Sequence, residues 1–170
     1  MINRRFLRIK VLQALYAYLE SGEDVTENGV KYLLESIDKM RDLFIWQLSF
    51  IIETKRFAEN RIEENKHKNI PTFEDLNPNM RYVQNRVIIA LENNKELARE
   101  EERLKINWAD HQDIIRNYYV MMRNTEEYKA YMIEDVDNFE HDKKFIITML
   151  TNYFTDLELL QDKKKKKSIF

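Results

Sequence analysis

The sequence predicts an all-α protein, a helical bundle of about six to eight helices. Three observations carry this expectation. Only two glycines and two prolines punctuate 170 residues, against average usage of roughly 7% and 5%, which leaves little material for tight turns. Apolar residues recur at helical rather than strand spacing along most of the chain. Charged residues make up 34% and hydrophobic residues 44%, a balance that suits solvated helix faces around a core, and a chain of this length can bury roughly 70% of its unfolded surface.

The first helix is expected over about Asn3 to Glu20. Ile9, Leu12, Tyr16 and Leu19 form one stripe at helical spacing, and Leu7, Val11, Leu15 and Tyr18 form another beside it. Ala14 and Ala17 permit close helix approach, and so broad an apolar surface suits a helix packed between others in a bundle. Gly22 then supplies a left-handed residue to end it. A second helix starts at the N-cap candidate Thr26 and continues to about Lys68. Val30, Ile37, Phe44, Ile51 and Ala58 recur every seven residues, with Leu34, Leu48 and Ile62 widening the stripe. Unbroken, this helix is about 60 Å long, where three to four turns is the norm.

NIPTFEDLNPN opens at Asn69, holds both prolines and reads as a loop. Asn77 followed by Pro78 reads as N-cap and first residue of a third helix, with Met80, Val83, Val87 and Leu91 on one face and Arg81 and Arg86 on another. Asn93-Asn94 marks a break, and KELAREEERLKI continues as a charged helix. Asn107 or Asp110 can cap a helix running through Arg123, with Ile114, Ile115, Tyr118, Tyr119 and Met122 facing inward. Thr125 begins a short helix through Ile133, EDVDN separates it from the next, and the last long helix spans about Phe139 to Tyr153. TDLELLQD and a run of lysines, Lys163–Lys167, follow. That run reads as a solvated linker, with nonspecific RNA contact as the alternative.

Several function classes fall away. Net charge is −2, so a nucleic-acid reading must rest on where the cations sit. Without cysteine there is neither a disulfide framework nor a thiolate metal site. No apolar run approaches the roughly 20 residues that span a bilayer, and no signal-peptide core follows the start, so the expectation is a cytoplasmic protein with no membrane partner. His67, His111 and His141 lie far apart amid charged residues and are expected at the solvated surface. No glycine-rich phosphate loop and no nucleophile–base arrangement appears, so no enzyme, cofactor or metal is expected. The acidic runs Glu100-Glu101-Glu102 and Glu134-Asp135 read as solvated faces. Tyr118, Tyr119, Tyr128, Tyr131 and Trp108 have the chemistry to stack bases, but their helical spacing favours core.

One stretch stands apart, the opening MINRRFLRIKVLQALYAYLES. Arg4, Arg5 and Arg8 sit at the positive end of a helix dipole, which disfavours each cation by about 0.3–1 kcal/mol. Lys10 adds a fourth cation, and no acid precedes Glu20. Free helix N–H groups plus cations make an anion site whose natural occupant is phosphate. The competing reading is that these arginines pair with acids elsewhere in the fold. Gln13 and Tyr16, further along, are the residue types that reach bases.

Arg4-Arg5-Phe6-Leu7-Arg8, followed by Val11-Leu12-Gln13-Ala14-Leu15-Tyr16, resembles the start of the transcription antitermination factor family NusB. That family typically opens with two arginines, two residues and a third arginine, then an apolar-Gln-Ala-Leu-Tyr run, and the likeness is ungapped over about 18 residues. Leu7 and Ile9 stand where the family often has Ala and Glu. Asp142-Lys143-Lys144-Phe145, with Ile146 and Leu150, is similar to the family's third helix, which closes its amino-terminal three-helix bundle. The length between the two matches resembles the longer members of the Bacteroidetes type, which carry extra helices.

The resemblance implies a NusB-like amino-terminal domain over residues 1–162, with an inserted helical region at about 26–137 and a basic linker at 163–170 leading to a second bundle outside this chain. It further implies binding of boxA-type single-stranded RNA together with NusE, a small-subunit ribosomal protein. That assembly joins the RNA polymerase antitermination complex and supports ribosomal RNA transcription. The expected RNA-binding residues are Arg4, Arg5, Arg8, Lys10, Gln13 and Tyr16. The alternative is a non-enzymatic helical scaffold or adaptor whose opening arginines make only intramolecular ion pairs.

Overall fold

A computed structural model describes residues 4–22, 26–134 and 138–153. These form eight α-helices, one 3-10 turn and, among the described residues, no strand. The helices are α1 (Arg4–Ser21), α2 (Thr26–Lys66), α3 (Phe73–Leu76), α4 (Arg86–Glu92), α5 (Lys95–Arg103), α6 (Gln112–Asn124), α7 (Glu126–Ile133) and α8 (Phe139–Tyr153). The all-α expectation holds. The segment TDLELLQD and the lysine run lie outside the described residues. The chain divides into two compact units, Met1–Ile45 and Trp46–Phe170.

In the first unit α1 packs on the opening turns of α2. Gly22 adopts φ +64° and ends α1 as anticipated. The contact is close because Gly29 has no side chain: a Cβ built there would lie 3.2 Å from the Tyr18 ring. Ala14 is buried, and Leu7, Lys10 and Tyr18 are half-buried. The rest of α1 departs from expectation. Ile9, Val11, Leu12, Leu15, Tyr16 and Leu19 are exposed, not enclosed by a bundle. A two-helix unit covers one side of each helix, so breadth of apolar surface overstates burial here.

In the second unit the later turns of α2 supply Phe50, Ile51, Ile52 and Ala58 to a core completed by residues such as Ile88, Ile115, Met122, Phe145 and Met149. Aromatic edges knit it: Trp108 meets Trp46 at 5.1 Å and Phe50 at 5.3 Å between ring centroids, and Phe50 meets Tyr118 at 5.0 Å. The Trp108 indole N–H donates to Ser49 Oγ at 2.9 Å, so its polar end is satisfied. Tyr118, Tyr119, Tyr128 and Tyr131 are all buried, the core role that their spacing favoured.

The predicted third helix does not start at Pro78. A single turn, α3, forms inside the proline-bounded loop, because Thr72 and Asp75 make a capping box. Residues 81–84 form a turn, and α4 begins only at Arg86. The cause is Asn85, whose Oδ1 accepts the N–H groups of Val87 at 3.0 Å and Ile88 at 3.1 Å. Further along, neither Asn107 nor Asp110 caps α6, whose N-cap is His111 without a side-chain hydrogen bond; Asn107 Oδ1 instead accepts the Ala109 N–H at 2.9 Å in the turn before it.

Asn85 also anchors a buried polar network. Its amide donates to Tyr131 Oη at 3.0 Å, and the Tyr131 hydroxyl donates to Asp142 Oδ1 at 2.7 Å. Asp142 Oδ2 accepts the Arg86 N–H at 3.0 Å. Three of the N–H groups left over at the start of α4 are therefore satisfied by two side chains, and α4, α7 and α8 are tied at one point. Burial and the hydrogen bond to the Asp142 carboxylate both push the Tyr131 hydroxyl well above its ordinary pKa. His141, expected at the solvated surface, instead stacks on Tyr131 at 5.7 Å and pairs with Glu134.

Asn85→Ala removes the α4 cap and strips Tyr131 of a donor inside the core. We expect a loss of about 2–4 kcal/mol in unfolding free energy by urea denaturation. The exposed Asn93→Ala is expected to stay within about 0.5 kcal/mol of wild type. Equal small effects at both positions would contradict the network's role.

Candidate nucleic-acid interface

The residues that sequence reasoning singled out lie on α1, and helix geometry sorts them. At about 100° per residue, Arg5, Arg8, Leu12, Tyr16 and Leu19 fall within an arc of about 80°. This is the side turned away from Ala14 and Gly29. Arg4 flanks it on one edge and Gln13 on the other. Lys10 falls on the opposite side and is half-buried. The structure therefore gathers Arg4, Arg5, Arg8, Gln13 and Tyr16 onto one exposed surface and sets Lys10 apart. The reason is spacing: the interval from Arg5 or Arg8 to Lys10 matches neither three nor four residues.

This surface has two halves. The amino-terminal half carries the arginines, and the carboxy-terminal half carries Leu12, Leu15, Tyr16 and Leu19. Leu12, Tyr16 and Leu19 are 67%, 66% and 68% exposed. From Arg8 to Tyr16 the axial separation is about 12 Å, so a cationic subsite and an aromatic subsite stand apart along one line. The exposed leucines were read from sequence as core. Their only warning was the breadth of the apolar surface on a helix with few partners.

The electrostatic setting of these cations differs from that in the second unit. There, among the described residues, seven cations are paired with acids. Lys55 Nζ, on a side chain 8% exposed, lies 2.8 Å from Glu59 and 2.7 Å from Glu92, and Arg56 Nε is 3.1 Å from Glu92. Lys66–Glu63, Arg103–Glu100, Lys129–Glu126 and Lys143–Glu140 pair three residues apart on helix surfaces. On α1, Arg4, Arg8 and Lys10 make no ion pair among the described residues. Across the second unit's pairs, burial works against the charge of Lys55, but hydrogen bonds from its ammonium to Glu59 and Glu92 outweigh it and hold its pKa above 10.5. Burial likewise opposes the charge of Glu92, and the bonds from Lys55 and Arg56 outweigh it and hold its carboxyl below 4.5.

No group of three or more His, Cys, Asp or Glu side chains is placed to hold a metal ion among the described residues. No described helix is long and apolar enough to cross a membrane. No family model, no curated protein and no solved structure matches the chain.

The Lys55–Glu92 cluster gives stability a defined pH dependence. A depressed carboxyl contributes stability that is present above 4.5 and lost as pH falls through its folded value, whereas the raised Lys55 contributes stability that is present below 10.5 and lost as pH rises through its folded value. Chemical denaturation as a function of pH is expected to show wild type weakening below pH 4.5. Glu92→Gln is expected to be less stable near neutrality and to have a shallower acid limb. Parallel limbs for the two proteins would contradict this assignment.

Proposed function

We propose that the chain is a transcription antitermination factor similar to NusB and binds boxA-type single-stranded RNA through the outward face of α1. Arg4, Arg5 and Arg8 contact phosphates, Tyr16 stacks a base and Gln13 reaches a base edge. RNA is engaged together with NusE, and the assembly joins the RNA polymerase antitermination complex that supports ribosomal RNA transcription. Lys10 is not a contact in this reading, because it lies on the other side of the helix.

The observation that carries the reading is the state of the helix start. Arg4 and Arg8 stand exposed with no acid paired to them among the described residues, at a helix end that disfavours cations. A bound anion resolves that arrangement. The scaffold alternative needs these arginines to be consumed by internal ion pairs, as Lys55 and Arg56 are.

Three phosphate contacts at roughly −0.7 each give log K against log salt a slope near −2 from this helix. Arg4→Ala/Arg5→Ala/Arg8→Ala is expected to remove that share of the slope for a boxA-like RNA, measured by fluorescence anisotropy from low to moderate salt. Tyr16→Ala is expected to cost about 1–3 kcal/mol of binding and Tyr16→Phe to keep most of it. Helix content and melting should stay near wild type, because these side chains are exposed. An unchanged slope in the triple variant would contradict the proposal, and a large stability loss would favour the scaffold.

A further inference from the structure

A cleft of about 760 Å³ opens in the second unit, between α2, the segment around α3, α6 and α7. That volume is in the range of ligand sites, and nothing in the proposed RNA contacts uses it. Its floor includes Tyr82, Tyr119 and Tyr128. Apolar side chains Ile62, Met132 and Ile133 line it, and cations Arg61, Arg123 and Lys129 come from three different helices.

The charges in this lining are unequally committed. Asp75 on the facing wall is already neutralised: its carboxylate takes Lys68 Nζ at 3.1 Å and the Thr72 N–H at 3.0 Å, and its pKa is lowered by these bonds. Lys129 is paired with Glu126 at 2.7 Å. Arg61 has no ion pair among the described residues, and Arg123 lies over the Tyr119 ring at 5.8 Å. Glu74 alone is left to offset two guanidinium groups, so the cleft has an excess of uncommitted positive charge suited to carboxylates.

The tyrosines decide between a nucleic acid and a peptide. Tyr82, Tyr119 and Tyr128 are at most 7% exposed. Tyr82 packs against Tyr119 at 6.3 Å and Tyr128 at 5.8 Å, and Phe57 packs against Tyr119 at 5.5 Å. Their faces are occupied, so no platform is offered to a base. What the cleft offers is aliphatic surface beside arginines. One wall is the α3 segment, whose turn is held by the Thr72–Asp75 capping box and which contributes Glu74, Asp75 and Asn77 to the lining.

We propose that this cleft binds an acidic, amphipathic peptide segment of a partner protein. Leucine- or phenylalanine-type anchors contact Ile62, Met132 and Ile133, and flanking carboxylates pair with Arg61 and Arg123. The proposal does not depend on the RNA reading.

Random peptides of about 12 residues, displayed on phage and selected against the full chain, test it directly. The expected enrichment is for Asp/Glu flanking Leu or Phe. Synthetic versions of the selected peptides should bind at least ~10-fold more weakly to Arg61→Glu/Arg123→Glu, and also to Ile133→Asp. All three positions are exposed, and circular dichroism should report unchanged helix content. Failure to enrich any peptide, enrichment of neutral or basic peptides, or undiminished binding to both variants would overturn the proposal. Loss of RNA binding in Arg61→Glu/Arg123→Glu would also overturn it, by making the cleft a nucleic-acid surface. The α1 arginine variant separates the two readings, since it should lose RNA and keep the acidic peptides.

Discussion

The approach of Tyr18 to Gly29 sets which side of α1 faces solvent. A Cβ on Gly29 would sit 3.2 Å from that ring, so glycine is what lets the helices meet along this line. Once Ala14 and Tyr18 are turned toward α2, the position of every other α1 side chain follows from the 100° step of the helix. Arg5, Arg8, Leu12, Tyr16 and Leu19 are carried outward together. A surface that joins three arginines to an exposed tyrosine is thus a consequence of one packing contact and the order of residues. It requires no special local geometry.

The second unit is built on the opposite logic. Its polar groups are turned inward and satisfied: Asn85 caps α4, Tyr131 bridges Asn85 to Asp142, and Asp142 takes the Arg86 N–H. A buried carboxylate whose two oxygens each accept a hydrogen bond holds three helices in register. Many of its surface cations are matched by acids close by in sequence. The net charge of −2 therefore says little about binding, because the charges are sorted. Acids and bases largely cancel in the larger unit, while the start of α1 holds cations with no acid before Glu20.

The helical class and most helix positions were legible in the sequence, since long periodic segments state their own structure. So was the exposure of Arg4, Arg5 and Arg8, whereas Tyr16 shares the apolar stripe of Leu12 and Leu19 and its exposure was not legible. Lys10 neighbours the arginines in sequence but, two residues from Arg8 and five from Arg5, falls on the opposite side of the helix, half-buried. Leu12, Leu15 and Leu19 were misread as core, since hydrophobicity records a tendency to be covered and not the number of neighbours available to do it. The start of α4 was missed because Val83, Val87 and Leu91 keep helical spacing straight through Asn85, whose capping role overrides the pattern. The Thr72–Asp75 box was written in the chain but lay between prolines. The cleft left no local trace at all: Arg61, Arg123 and Lys129 are brought together only by tertiary packing.

Photocrosslinking of the full chain to a thiouridine-substituted boxA-like RNA, with the adducts located by mass spectrometry, tests the account most directly. Adducts are expected in the α1 peptide, centred on Tyr16. Adducts confined to residues 46–153, with none on α1, would contradict it.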